Sequence, residues 1–273
     1  MKKRYLFLSL LITIAFVVLT ACGGKEKSGG AEDKKQGTLE AIKERDKFVV
    51  GVKYDTKLFG LQDPATNEVE GFDIDIAKQI AKHVLGDEEK VELVEVTSKT
   101  RIPMLNNGEI DAIIATMTIT EERKQEVDFS DVYFEAGQSL LVKKDSDIKS
   151  VKDLKKGDTV LAVKGSTSAQ NIREHAPDAT VREFENYQEA FMALKSGQGT
   201  ALTTDNSILY GMAQQDSNFK VLDETFTDEP YGIAIKKGDT EFVNTINEVL
   251  KDLHESGEYD KIYEKWIGEK PKN

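Results

Sequence analysis

The sequence predicts an α/β protein of two lobes, each built on a mostly parallel sheet, with two chain crossings between the lobes acting as a hinge. Two observations carry this. Short runs rich in Val, Ile and Leu alternate with segments whose apolar residues recur every three or four positions, the pattern of βα units. The alternation occurs in two successive stretches of roughly 90 residues, each smaller than a usual domain.

The elements follow in order. FVVGV, Phe48–Val52, has the composition of a buried strand. In 73–85, Ile76, Ile80 and Val84 recur every four residues with Ala77, Ala81 and Leu85 beside them, and Gly86 ends the helix. Asp73 is expected to cap it and Asp75 to face solvent or a neighbouring loop. A strand at 91–96, a short helix at 100–107 with Pro103 in its first turn, and a strand at 110–116 come next. Thr120, followed by two acidic residues, opens an expected helix to about Val127.

The second run has strands at 139–143, 159–163, 181–184, 200–204, 219–222 and 231–236. Ser150 with Asp153 forms a capping box, and helices cover 166–175, 186–194 and 206–214. Asp239 caps an amphipathic helix striped by Phe242, Val243, Ile246, Val249, Leu250 and Leu253, and 258–266 is a last helix packed by Trp266. Lobe one is expected at 38–141 plus 233–273 and lobe two at 142–232, with crossings near Leu141–Val142 and Tyr231–Gly232.

The N-terminus reads differently. Lys2, Lys3 and Arg4 precede an apolar run to about Leu19, the basic and hydrophobic regions of a secretory signal peptide over 1–21. The run is short of the roughly 20 residues a spanning helix needs. Cys22, the one cysteine of the chain, follows Leu19-Thr20-Ala21 and precedes two glycines. A lone cysteine excludes a disulfide within the chain. From Cys22 to Gly37 the sequence is polar and reads as a disordered tether.

Net charge is −12, from 37 basic and 49 acidic residues, and becomes −15 once 1–21, with three basic and no acidic residues, is removed. Such a balance excludes a phosphate-binding footprint for nucleic acid and broad contact with anionic lipid. No P-loop, G-x-S-x-G elbow or G-x-G-x-x-G motif occurs. His83, His175 and His254 are scattered without metal-ligand spacing, so neither a cofactor nor a metal is expected.

Polar residues at strand ends remain. Arg123 can hold a carboxylate by two parallel hydrogen bonds, or be one solvated charge in Glu121-Glu122-Arg123-Lys124. Asp205, ending a strand, can face an ammonium or cap the next helix. Ser166-Thr167-Ser168 opens a helix, which suits an anion or simple capping.

GFDIDIAKQIAKHV (71–84) and TMTITEERKQEVDFS (116–130) resemble two hallmarks of the polar amino acid binding proteins of ABC importers, the extracellular solute-binding proteins of family 3. GVKYDTKLFGL, TSKTRIPML, AVKGSTSAQNIRE, TTDNSILYG and DEPYGIAIKKGD are similar to segments of its Gram-positive glutamine-binding lipoproteins and glutamate/aspartate-binding members. The resemblance implies a periplasmic-binding-protein-like fold and a non-catalytic role: capture of a polar amino acid between the lobes and delivery to a membrane permease and its ATPase. It also implies a lipobox, with Cys22 lipidated and the protein anchored on the extracytoplasmic face of the cell membrane.

By resemblance, Arg123 clamps the α-carboxylate with Thr116, Thr118 and Ser168, and Asp205 takes the α-ammonium. Phe59, with Tyr54 as the alternative, stacks on the ligand, and Lys164 lies near its side chain. Arg101, as in members that bind acidic amino acids, meets the distal group, with Lys53, and Lys57 as a further candidate, adding positive charge. A buried cation without an anionic partner is costly, which favours glutamate or aspartate, whereas the whole-chain likeness favours glutamine. A dehydratase on this fold and a sensory module of a receptor are the rival classes. The first needs an evident general acid, and the second needs fused spanning or signalling segments.

Overall fold

The computed structural model describes residues 37–268. The expected signal peptide, Cys22 and the tether up to residue 36 lie outside the described residues, as do 269–273.

Helix α1 (Thr38–Arg45) leads into β1 (Phe48–Val52), and a small antiparallel meander follows: β2 (Asp55–Thr56), β3 (Gly60–Gln62) and β4 (Val69–Glu70). Next come α2 (Phe72–Leu85), β5 (Val91–Glu95), α3 (Arg101–Asn107), β6 (Ala112–Ile113) and β7 (Val127–Ala136). The second run holds β8 (Gln138–Lys143), β9 (Thr159–Val163), α4 (Thr167–His175), β10 (Thr180–Phe184), α5 (Tyr187–Lys195), β11 (Ala201–Asp205), α6 (Asn206–Gln215) and β12 (Phe219–Val221). The chain closes through β13 (Glu229–Lys236), α7 (Thr240–Ser256) and α8 (Glu258–Ile267).

Two five-stranded sheets share one plan. Their orders are β5-β1-β6-β13-β7 and β10-β9-β11-β8-β12. In each, a single strand (β13, β8) runs against the other four, so both sheets are mostly parallel. The first lobe's largest core packs α2, α7 and α8 on its sheet through Phe48, Phe72, Ile76, Ile80, Phe242 and Ile246. The second lobe has a cluster on each face of its sheet, one around Leu161, Phe191 and Leu202 and the other around Val160, Ile172 and Ala201.

The chain leaves the first sheet at Gly137, between β7 and β8, and returns between Val221 and Glu229. Leu141 and Val142 therefore lie inside β8, and Tyr231 and Gly232 inside β13, rather than at the crossings expected there. Gly137 suits the transfer, because a Cβ there would stand 2.7 Å from the Thr227 carbonyl oxygen of the returning segment.

Four local expectations change. The helix expected from Thr120 is a single 3-10 turn, Arg123–Gln125, because 121–126 carries no apolar residue with which to bury a face. Pairing in β6 stops at Ile113, since the chain turns at Thr116 with φ 45°. Asp73 does not cap α2; it is fully buried and bonded elsewhere. Asp75, expected in solvent or against a neighbouring loop, accepts instead from Lys265 Nζ and Trp266 Nε1 of α8, both at 2.7 Å, and pins that helix.

Candidate functional site

Each sheet reverses its winding beside one parallel strand: β1 lies between β5 and β6, and β9 between β10 and β11. Clefts form beyond the carboxyl ends of strands at such switch points. The residues there are Lys53 after β1, Thr116 after β6, Ser168 after β9 and Asp205 at the end of β11. All four are buried.

Arg123 spans the lobes. Its Nη1 donates to the Thr118 carbonyl at 2.7 Å and its Nη2 to the Gly165 carbonyl at 3.2 Å. Its side chain is thus not the solvated member of a charge cluster, and burial lowers its pKa. A guanidinium has five N–H donors, so donors remain for a ligand. A groove of about 620 Å³ opens beside it, lined by Ser98, Thr118, Gly165, Ser166 and Glu229 among others.

Asp205 makes no capping bond to α6. One oxygen accepts from Tyr231 Oη at 2.6 Å, and the other, Oδ1, is buried with no partner among the described residues. Burial, with the Glu229 carboxylate nearby, pushes its pKa up to about 7. Glu229 is itself satisfied by Thr167 Oγ1 (2.8 Å), Thr227 Oγ1 (2.8 Å) and Asn171 Nδ2 (3.0 Å).

Arg101 is 2 % exposed, which places it well away from the surface of its short helix. Its Nη1 donates to the Ala115 carbonyl at 2.7 Å, while Nε is buried without a partner among the described residues. Burial, with Arg123 adding repulsion, lowers its pKa to about 9. Lys53 is also buried, donates to Ser98 Oγ at 3.0 Å and lies 5.1 Å from the Tyr187 ring centre. Burial brings it down to about 8. Lys53, Arg101 and Arg123 form no ion pair among the described residues.

Thr116 has its hydroxyl buried and unpartnered among the described residues. A β-branched residue at positive φ is an outlier that surrounding bonds must hold, and such outliers gather at functional sites. Ser168 is buried, with Oγ donating to Ser166 Oγ at 2.9 Å; Ser166 caps α4. Phe59 lies in the first lobe's core, edge-on to Phe72, Phe134 and Tyr231, and so backs the tyrosine that holds Asp205.

Lys164 is placed apart from this cluster. It is about two-fifths exposed (41 %) and ion-paired with Glu185 on the surface, so its charge is already answered there.

Four residues escaped the sequence reading. Asp73 stands in the GFDIDIA segment but read as a helix cap. Glu229 and Tyr231 stand in DEPYGIAIKKGD, where no periodicity marks a buried carboxylate. Gln138 is fully buried with both amide atoms unpartnered among the described residues, directly opposite Asp205 across the β8–β11 ladder. Its one sequence signal was the preceding glycine.

Among the described residues, no helix is long and apolar enough to cross a membrane, and no group of three or more His, Cys, Asp or Glu is arranged to hold a metal.

Residues 48–269 match the bacterial extracellular solute-binding proteins, family 3. The chain is 65 % identical over 270 residues to the ABC transporter glutamine-binding protein GlnH of Bacillus subtilis, covering 98 % of this chain and 99 % of that one. It is also 65 % identical over 243 residues to a glutamine-binding protein of Geobacillus stearothermophilus, covering 86 % and 93 %. Among solved structures, an ancestral arginine-binding protein bound to glutamine superposes with a TM-score of 0.77 at 47 % identity, covering 82 % of this chain and 99 % of that one.

Proposed function

We propose that this chain, which belongs to the bacterial extracellular solute-binding proteins of family 3, binds glutamine between its lobes and delivers it to an ABC importer. Its family is one of solute-binding proteins, not of enzymes. The observation that carries the ligand reading is a buried carboxylate oxygen, Asp205 Oδ1, and a buried guanidinium nitrogen, Arg101 Nε, each without a partner among the described residues and on side chains within electrostatic reach of one another. A free amino acid supplies an ammonium for the first and acceptor oxygens for the second and for Arg123.

In this reading Arg123 takes the α-carboxylate, with Thr118, Ser168 and the backbone at Thr116. Asp205 takes the α-ammonium, and Arg101 and Lys53 face the distal group. Phe59 supports the apolar wall.

Charge balance separates glutamine from glutamate. At the distal end the two cations Lys53 and Arg101 are within electrostatic reach of two carboxylates, Asp55 and Asp73. A pocket so balanced suits a neutral amide, whose carbonyl oxygen accepts from Arg101. The names of the two relatives at 65 % identity support the same ligand.

Lipidation of Cys22 after removal of residues 1–21 would place the protein on the outer face of the membrane. One chain of buried methylenes contributes roughly 0.8 kcal/mol each to such attachment. Replacing Cys22 with Ser is expected to shift the protein from the membrane fraction to the medium; unchanged membrane retention would refute lipid anchoring. Calorimetric titration of ligand-free protein with glutamine, glutamate and aspartate tests the ligand reading, with glutamine expected to bind tightest.

A further inference from the structure

The peptide between Ala115 and Thr116 is gripped from both ends by buried charge. Its carbonyl accepts from Arg101 Nη1 at 2.7 Å, and its N–H donates to Asp73 Oδ2 at 3.1 Å. Asp73 Oδ1 accepts from Tyr133 Oη at 2.9 Å. Asp73 is 0 % exposed and Arg101 2 % exposed, so neither charge is screened by water. The gripped peptide is also the one that enters the left-handed turn at Thr116, with φ 45°.

We propose that Asp73 is a specificity-determining residue of the ligand cavity, acting through the Ala115–Thr116 peptide to orient Arg101 and to cancel the charge that would otherwise select a distal carboxylate. The inference rests on the reading that Arg101 and Lys53 face the ligand's distal group.

Three features support it. Asp73 lies in the fold where the helix after β4 meets the end of β6, and it makes no cap, so its carboxylate is free of any ordinary helical duty. It acts electrostatically on both Arg101 and Lys53. Both bonds it accepts are to neutral donors, so its negative charge is left to act on those cations rather than being absorbed in a direct ion pair.

A brace and a selector differ in what their loss does. Removing a brace weakens every ligand alike. Removing a buried negative charge near the distal cations favours an anionic side chain over a neutral one. At a separation of several ångströms and the effective dielectric of protein sites, one charge changes the ratio by about tenfold or more.

The test is calorimetry at about pH 7.5, between the raised Asp73 carboxyl (about 7) and the lowered Lys53 ammonium (about 8), on purified mature protein freed of carried-over ligand, with glutamine and glutamate titrated in parallel. In Asp73→Asn the ratio of glutamate to glutamine affinity is expected to rise about tenfold or more over wild type. In Tyr133→Phe, which loses one bond but keeps the charge, the ratio is expected to stay as in wild type. Should Asp73→Asn alone fail to fold, Asp73→Asn/Tyr133→Phe keeps an acceptor for the Thr116 amide and removes the phenol's competing demand. An equal fall for both ligands in the neutral variants, with the ratio unmoved, overturns the proposal and leaves Asp73 a brace. A wild-type protein that prefers glutamate would instead refute the glutamine reading, and the shift on removing Asp73 is judged against that wild-type ratio all the same.

Discussion

At the residue scale, the cleft is organised by titratable groups taken out of water. Asp205 illustrates the consequence. Burial raises its pKa to about 7, so in the ligand-free protein it is largely protonated below that pH. An ammonium binds the ionised form. Glutamine affinity is therefore expected to be full above about pH 7 and to fall roughly tenfold per unit below it. In Asp205→Asn it should be weak and nearly independent of pH over that range. Calorimetry between pH 5 and 8 checks both, and a flat wild-type profile would remove Asp205 from the ammonium site. The same shift acts on stability in the opposite direction. A carboxyl protonated in the folded state but ionised in the unfolded one favours folding at low pH. The ligand-free protein thus loses that contribution as pH rises from the ordinary carboxylate range toward about 7, through Asp205 and Asp73 alike.

At the element scale, strands and helices with one buried face were readable from their periodicity. β1, α2, α5 and α7 appear where apolar spacing put them, and Asn186 and Asp239 cap as their positions suggested. Elements shaped by tertiary bonds were not readable. β7 carries Asp128, Asp131 and Glu135, residues disfavoured in strands, and meets β13 through two register shifts, so no period of two survives. The end of β6 is decided by Arg101 and Asp73, which take the hydrogen bonds a neighbouring strand would have made. Of the site, Arg123 and Asp205 were legible as polar groups at strand and turn ends, but only packing shows that Asp205 is buried and that Arg123 is held by the Thr118 and Gly165 carbonyls. Lys164 pairs with Glu185, 21 residues away in sequence, a contact that no local pattern shows.

Helix α6 offers a test at this scale. A Cβ added at Gly211 would stand 2.6 Å from the backbone oxygen of Lys57, in the opposite lobe. Ala is the better helix former by about 1 kcal/mol, so Gly211→Ala is not expected to lower the melting temperature of the ligand-free protein. It is expected to weaken glutamine binding about tenfold by holding the lobes apart, a figure on the scale of a modest population shift. Unchanged affinity, with ordinary stability, would show that the approach of α6 to the first lobe is not needed for binding.

At the scale of the whole molecule, two sheets of one plan face each other across switch points, and the contacts between them run through backbone as well as side chains. Arg123 reaches Gly165, and the amide of Tyr187 donates to Asp55 Oδ2 at 2.7 Å, setting a carboxylate of one lobe at a helix start of the other. A ligand that pairs groups from both lobes favours this closed arrangement by its differential affinity for it. The central claim is that the buried groups between the sheets are built for glutamine. Titration of refolded, ligand-free protein with glutamine, glutamate and aspartate tests it most directly. The account predicts one site per chain, filled by glutamine with at least about tenfold tighter binding than either acid, a margin of about 1.4 kcal/mol. Tighter binding of glutamate or aspartate would contradict it, because Arg101 and Lys53 would then act as uncompensated cations.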